Sequence, residues 1–163
     1  MGLLVVLMRK LAVLLVASLF FYGCDFDVPI EETPRVRISP VLLGTWVSQS
    51  EDEKVYLSVL RKDDFSYQGE TWPEGERAKA EKFVAFASSV GGASFFSIDL
   101  GSQETKRYAY ARVVVVDKRT FTFEPVRGES AFAFDTTGSV LERLVRHQND
   151  KDLLGELQRF IRE

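Results

Sequence analysis

From residue 42 onward the chain alternates apolar and polar positions with a period of two, the spacing of half-buried strands. Leu42 to Val47 opens the series. Lys54 to Arg61 sets Val55, Leu57 and Val59 on one face and Tyr56, Ser58 and Leu60 on the other. Lys62-Asp63-Asp64 is a tight connection to the next run, Phe65 to Trp72, so the two form a hairpin. Lys82 to Ser88 is read as a strand with Phe83, Ala85 and Ala87 on one side. A helix over Glu76 to Ser89 is the alternative, because Arg77 to Lys82 is alanine-rich. Gly91-Gly92 is a turn signal before the strand Ala93 to Leu100. Arg107 to Val116 is the longest run; its end, Val113 to Val116, is apolar on both faces and asks for cover on both sides. Thr120 to Val126 alternates Phe121 and Phe123 against Thr120, Thr122 and Glu124, and Glu129 to Asp135 is one further short strand. The period then lengthens. Val140, Leu141, Leu144 and Val145 form the stripe of a helix over 139–147, with Ser139 and Glu142 as its capping box. Asn149 or Asp150 caps a second helix, 150–162, with Leu153, Leu154, Leu157, Phe160 and Ile161 on one side. The expected fold is mainly β with C-terminal helices: an antiparallel barrel or strongly curled sheet of seven or eight strands.

The first forty residues follow a different pattern. Leu11 to Tyr22 carries no charge, Arg9 and Lys10 precede it, and Gly23 and Cys24 follow. A positive start, a short apolar run and a small residue at the cut site predict a signal peptide over 1–23. Leu3 to Leu7 lie on the far side of those charges, which makes Met8 an alternative start to Met1. Counted with Leu3 to Met8, the run approaches the roughly 20 residues that span a bilayer, so an uncleaved membrane helix is one alternative. An incidental thiol in a soluble secreted protein is another. Residues 24–41 are predicted to be an anchored cysteine and an acidic tether, with Asp25, Asp27, Glu31 and Glu32 among Pro29, Pro34 and Pro40. Fully stretched, the sixteen residues from Asp25 to Pro40 would reach roughly 50 Å. Residues 42–163 then form a single domain.

Phe21-Tyr22-Gly23-Cys24, after Leu19-Phe20, resembles the lipobox of bacterial lipoproteins. Gly23 and Cys24 match that pattern, while Phe21 and Tyr22 are bulkier than its aliphatic and small residues. The resemblance implies cleavage before Cys24, a diacylated thiol and membrane attachment through the lipid. Several acyl chains anchor stably where one is marginal. Asp25 directly after the cysteine resembles the signal that keeps some enterobacterial lipoproteins in the inner membrane. The expected location is the bacterial cell envelope, facing the periplasm or the exterior.

Composition narrows the function. Cleavage would leave 140 residues, enough for one domain with a real core. Losing Arg9 and Lys10 leaves 19 basic side chains against 24 acidic ones, and that balance offers no attraction for nucleic acid. One cysteine excludes an internal disulfide, and a single histidine argues against structural zinc, so no cofactor and no metal are expected. His147 reads as an exposed linker residue. Asp63-Asp64 and Glu74-x-Glu76 are paired carboxylates, which in a glycosidase would have to face each other across a cleft. Glu51-Asp52-Glu53 lacks the spaced oxygen ligands of a calcium loop.

The aromatic residues carry the remaining signal: 13 Phe, 5 Tyr and 2 Trp. Most of them pack a core. Phe65, Tyr67, Phe96, Tyr108 and Tyr110 are candidates to line an apolar cavity, with Gly69, Ala109 and Ala111 leaving room beside them. Gly44-Thr45-Trp46, opening the first strand, resembles the Gly-x-Trp of lipocalin-like (calycin) barrels. In that group the tryptophan closes one end and packs beneath a basic residue from a late strand. The resemblance makes Gly44 and Trp46 the barrel closure and Arg127 a counterpart of the basic residue by position. The expected function is a noncatalytic envelope lipoprotein that binds a small apolar ligand or another envelope protein. The alternatives are an envelope hydrolase using loop carboxylates, and an assembly lipoprotein docking through a sheet edge or the C-terminal helices.

Overall fold

The computed structural model describes residues 26–48, 54–101, 106–127, 136–150 and 152–163. Among them, eight antiparallel strands close into a barrel in sequence order: β1 (Gly44–Ser48), β2 (Val55–Arg61), β3 (Ser66–Pro73), β4 (Glu81–Val90), β5 (Ala93–Asp99), β6 (Tyr108–Asp117), β7 (Thr120–Pro125) and β8 (Gln158–Arg162). Among the described residues one α-helix, α1 (Thr137–His147), lies between β7 and β8. The disputed stretch is strand β4; only Arg77–Lys79 forms a single 3-10 turn. The expected strand over Glu129 to Asp135 lies outside the described residues.

The register gives the barrel two ends. Gly44 opposes Val59, Val90 opposes Ala93, and Asp117 opposes Thr120. The β2–β3, β4–β5 and β6–β7 hairpins therefore share one end. A 3-10 turn, Pro40–Leu42, enters β1 there, and we call it the plug end. The rim at the other end carries the starts of β2, β4, β6 and β8. Gly91 and Gly92 have φ of 56° and 85°, the left-handed pair that a two-residue hairpin needs.

Pleating sorts the side chains into two apolar layers. Trp46, Val59, Tyr67, Ala85, Ala87, Phe96, Val113, Phe121 and Phe160 fill the interior, with Leu57, Phe83, Ile98 and Phe123 packed against them. The outward residues Phe86, Val90, Phe95, Tyr108 and Tyr110 form a second layer with Val140 and Leu144 of α1. Thr136 caps that helix: its hydroxyl accepts from the Ser139 amide at 3.2 Å, and the Ser139 hydroxyl accepts from the Thr136 amide at 3.3 Å. The cap is thus three residues earlier than the Ser139–Glu142 expectation. Val145, expected on the buried stripe, is exposed.

Three other expectations are corrected. The described residues of the expected second helix, 150 and 152–162, are not helical. Leu153 and Leu154 enter the outer layer, Leu157 is exposed, and Phe160 points into the barrel, so these residues serve three environments rather than one stripe. Gln158–Arg162 is extended because both its neighbours, β7 and β1, offer open ladders. Residues 26–40 are not an extended tether. Phe26, Ile30 and Ile38 are buried, and Phe26 exchanges two 2.8 Å backbone hydrogen bonds with Tyr108. Val114, Val115 and Val116 are exposed rather than covered, because β6 runs on past the barrel wall into a hairpin whose register shifts between Val115 and Asp117.

Candidate ligand-binding groove

The plug is held from both chain directions. Trp46 is fully buried, and its indole Nε1 donates to the Leu42 carbonyl at 2.9 Å. Its ring meets Phe121 edge-on at 4.8 Å, and Phe121 stacks on Phe160 at 5.0 Å. Arg162, from β8, lies over the indole at 4.5 Å. That guanidinium also donates to the carbonyls of Leu43 at 3.0 Å, Val41 at 2.6 Å and Lys118 at 3.2 Å. A Cβ at Gly44 would sit 2.8 Å from Arg162 Nη1, so glycine lets the fork pass. Arg162 occupies the place expected of Arg127. Arg127 instead follows β7 near the rim, where its amide donates to Leu153.

Beside the plug lies a half-open cavity of about 360 Å³. One wall is the incoming strap, with Val36, Arg37, Ser39 and Leu42. The other is barrel, with Tyr67, Ala87, Phe96 and Val113, and the lip is formed by Gly92 to Ser94, Val114 and Val115. The lining is mostly hydrocarbon. Its polar groups are few: the Tyr67 hydroxyl accepts from the Ser39 amide at 2.7 Å, and burial pushes the Tyr67 phenol above its ordinary pKa, keeping it neutral. Arg37 is exposed, with its guanidinium 5.9 Å from the Phe65 ring centroid.

The candidate lining residues divide. Tyr67 and Phe96 meet in this cavity, with ring centroids 5.6 Å apart. Phe65 sits in the β2–β3 connection beneath Arg37. Tyr108 and Tyr110 lie on the opposite face of β6: Phe26 stacks on Tyr110 at 4.1 Å, and the Tyr110 hydroxyl donates to the Val28 carbonyl. They do not share an interior with Tyr67. Ala109 and Ala111 oppose Ile98 and Phe96 on the inner face, but Gly69 leaves no void, since a Cβ there would lie 2.1 Å from Phe83 Cζ. Cys24 lies outside the described residues. Val36, Ser39, Leu42, Ala87 and Val113 belong to the cavity and were not foreseen as lining. The alternation of Val36 and Ile38 against Arg37 and Ser39 was the available signal for the strap.

The carboxylate pairs are far apart in the fold. Asp63 and Asp64 lie in the plug-end β2–β3 connection, and Glu74 and Glu76 follow β3 at the rim. Asp63 shapes its turn: the Ser66 hydroxyl and the Phe65 and Ser66 amides donate to it, holding the carboxyl below its usual pKa. Glu74 pairs with Lys54 at 3.6 Å, and Glu76 with Lys79 at 2.8 Å. His147 ends α1 with Asp150 3.7 Å away. Among the described residues every strand is paired to a neighbour on both sides, which closes the barrel. No family model, curated protein or solved structure matches the chain.

Proposed function

We propose that the protein is a noncatalytic lipoprotein of the bacterial cell envelope, anchored through Cys24, whose lipocalin-like barrel takes up a small apolar ligand beside the plug. The observation that carries the reading is the half-open, mostly hydrocarbon cavity of about 360 Å³. Its size falls within the roughly 300–1,000 Å³ of small-molecule sites. The seating of Trp46 beneath Arg162 of the last strand supports the lipocalin-like comparison. Separation of the two carboxylate pairs to opposite barrel ends weighs against a hydrolase that needs them across one cleft.

A soluble chain beginning at Asp25 should enhance the fluorescence of a lipid-like probe with saturable binding. Ala87 is buried and lines the cavity, so Ala87→Leu fills the site and should weaken binding while the barrel stays folded. Probe binding that never saturates, or that ignores Ala87→Leu in a folded chain, overturns the reading. For the anchor, Cys24→Ser should abolish metabolic labelling by palmitate. Docking of another envelope protein is the second reading, supported by exposed Val114, Val115 and Val116 at the plug end, of which Val116 does not line the cavity. Val116→Lys would disrupt that docking and leave probe uptake unchanged.

A further inference from the structure

We propose that the barrel stands on the bilayer by its rim, with the plug and its groove pointing away from the membrane. This rests on the membrane attachment proposed above and adds an orientation to it. The decisive feature is how early the chain becomes fixed to the barrel. Phe26 is bound by two backbone hydrogen bonds of 2.8 Å to Tyr108, the first residue of β6 and therefore a rim residue. Its ring is 5% exposed and stacks on Tyr110 at 4.1 Å. Ile30 is fully buried, and its amide donates to Ser97 Oγ at 3.0 Å. Nothing between Phe26 and Ile30 is left to act as a spacer.

Only two residue steps separate Cys24 from Phe26, and such a step reaches at most about 3.6 Å. The backbone of Phe26 therefore lies within about 7 Å of that of Cys24, and acyl chains on Cys24 hold Phe26 and the Tyr108 corner of the rim close to the lipid surface. An uncleaved helix ending near Tyr22 would add only two steps more, so the orientation survives either mode of attachment. From Tyr108 the ten residues of β6 run to the plug end. At about 3.3 Å per residue and a barrel tilt near 40°, the plug-end turn after Asp117 lies on the order of 25 Å above that corner, and the groove, lined by Val113 to Val115, lies just short of that turn. Exposed Leu157, just before β8, belongs to the membrane-facing rim, and Val114 to Val116 belong to the far end.

The test uses the full chain in vesicles of phosphatidylethanolamine and phosphatidylglycerol that carry a headgroup nitroxide quencher. A fluorescent amino acid is placed at exposed Lys106 near the rim or at exposed Lys118 in the plug-end turn. Strong quenching at position 106 with little at 118 is the expected result. Inserting a ten-residue Gly-Ser spacer after Cys24 should erase that difference while the chain still floats with the vesicles. Equal quenching at both positions without the spacer, or stronger quenching at 118, overturns the orientation while leaving the anchor intact. A chain that fails to float overturns the anchor, and this inference with it.

Discussion

Arg162 does more than any other single side chain to fasten the plug. It binds three carbonyls from two separate segments and covers the Trp46 indole. Arg162→Ala should cost about 2–4 kcal/mol, since hydrogen bonds to a charged group contribute about 1.5–3 kcal/mol each and the fork's partners are left partly unpaired. Arg162→Lys should recover little of this, because an ammonium cannot reproduce the planar fork. Trp46→Ala should cost about 3–5 kcal/mol by removing a buried aromatic. Urea unfolding of the three chains measures all of these. Asp63 gives a pH signature with a definite sign. Its folded pKa lies below the usual 3.8, so its contribution is complete above the unfolded value and disappears as pH falls through the lowered one. The stability gap between the parent and Asp63→Asn should therefore narrow steadily on acidification below about pH 4. A gap that is constant with pH would assign the turn to shape alone.

Local pattern was a good guide to β1 through β7, because each of those strands pairs with its neighbour in sequence through the connection that the turn residues announce. It was a poor guide to β8. Five residues with Phe160 and Ile161 adjacent fit a helical stripe as well as a strand, and the arbiter was not local. The gap between β7 and β1, far away in sequence, made Gln158–Arg162 extended. The same misreading hid Arg162, so Arg127, next to the last obvious strand, stood in for it. Of the cavity lining, Tyr67 and Phe96 were legible as candidates. The strap was not, because its prolines and acids spoke for a tether while Phe26, Ile30 and Ile38 were burying themselves. Deleting Gln158–Glu163 tests the element directly. It leaves unpaired ladders on β1 and β7 and uncovers Phe121, so the shortened chain should associate edge to edge. Gel filtration showing a monomer with unchanged melting would contradict the strand's role.

At the scale of the whole molecule, two apolar layers share one wall. β4, β5 and β6 face the interior on one side and α1 with the strap on the other, which is why their alternation gives way to rings on both faces. A soluble chain beginning at Leu42 should therefore melt well below one beginning at Asp25, having lost the cover of Phe26 and Ile30, and should bind a hydrophobic dye in proportion. Equal melting temperatures would relegate the strap to decoration. Closure by β8 also imposes an order of events. The first stave, β1, waits for the eighth to be made, and 32 residues separate the end of β7 from its start. Long-range pairing of this kind is slow, because chain must be looped before contacts compensate. Until then the nascent polypeptide is seven staves of an open cask, with the facing edges of β1 and β7 unpaired. A chain stalled only a few residues short of β8 would look unfinished to a protease, however complete its other strands.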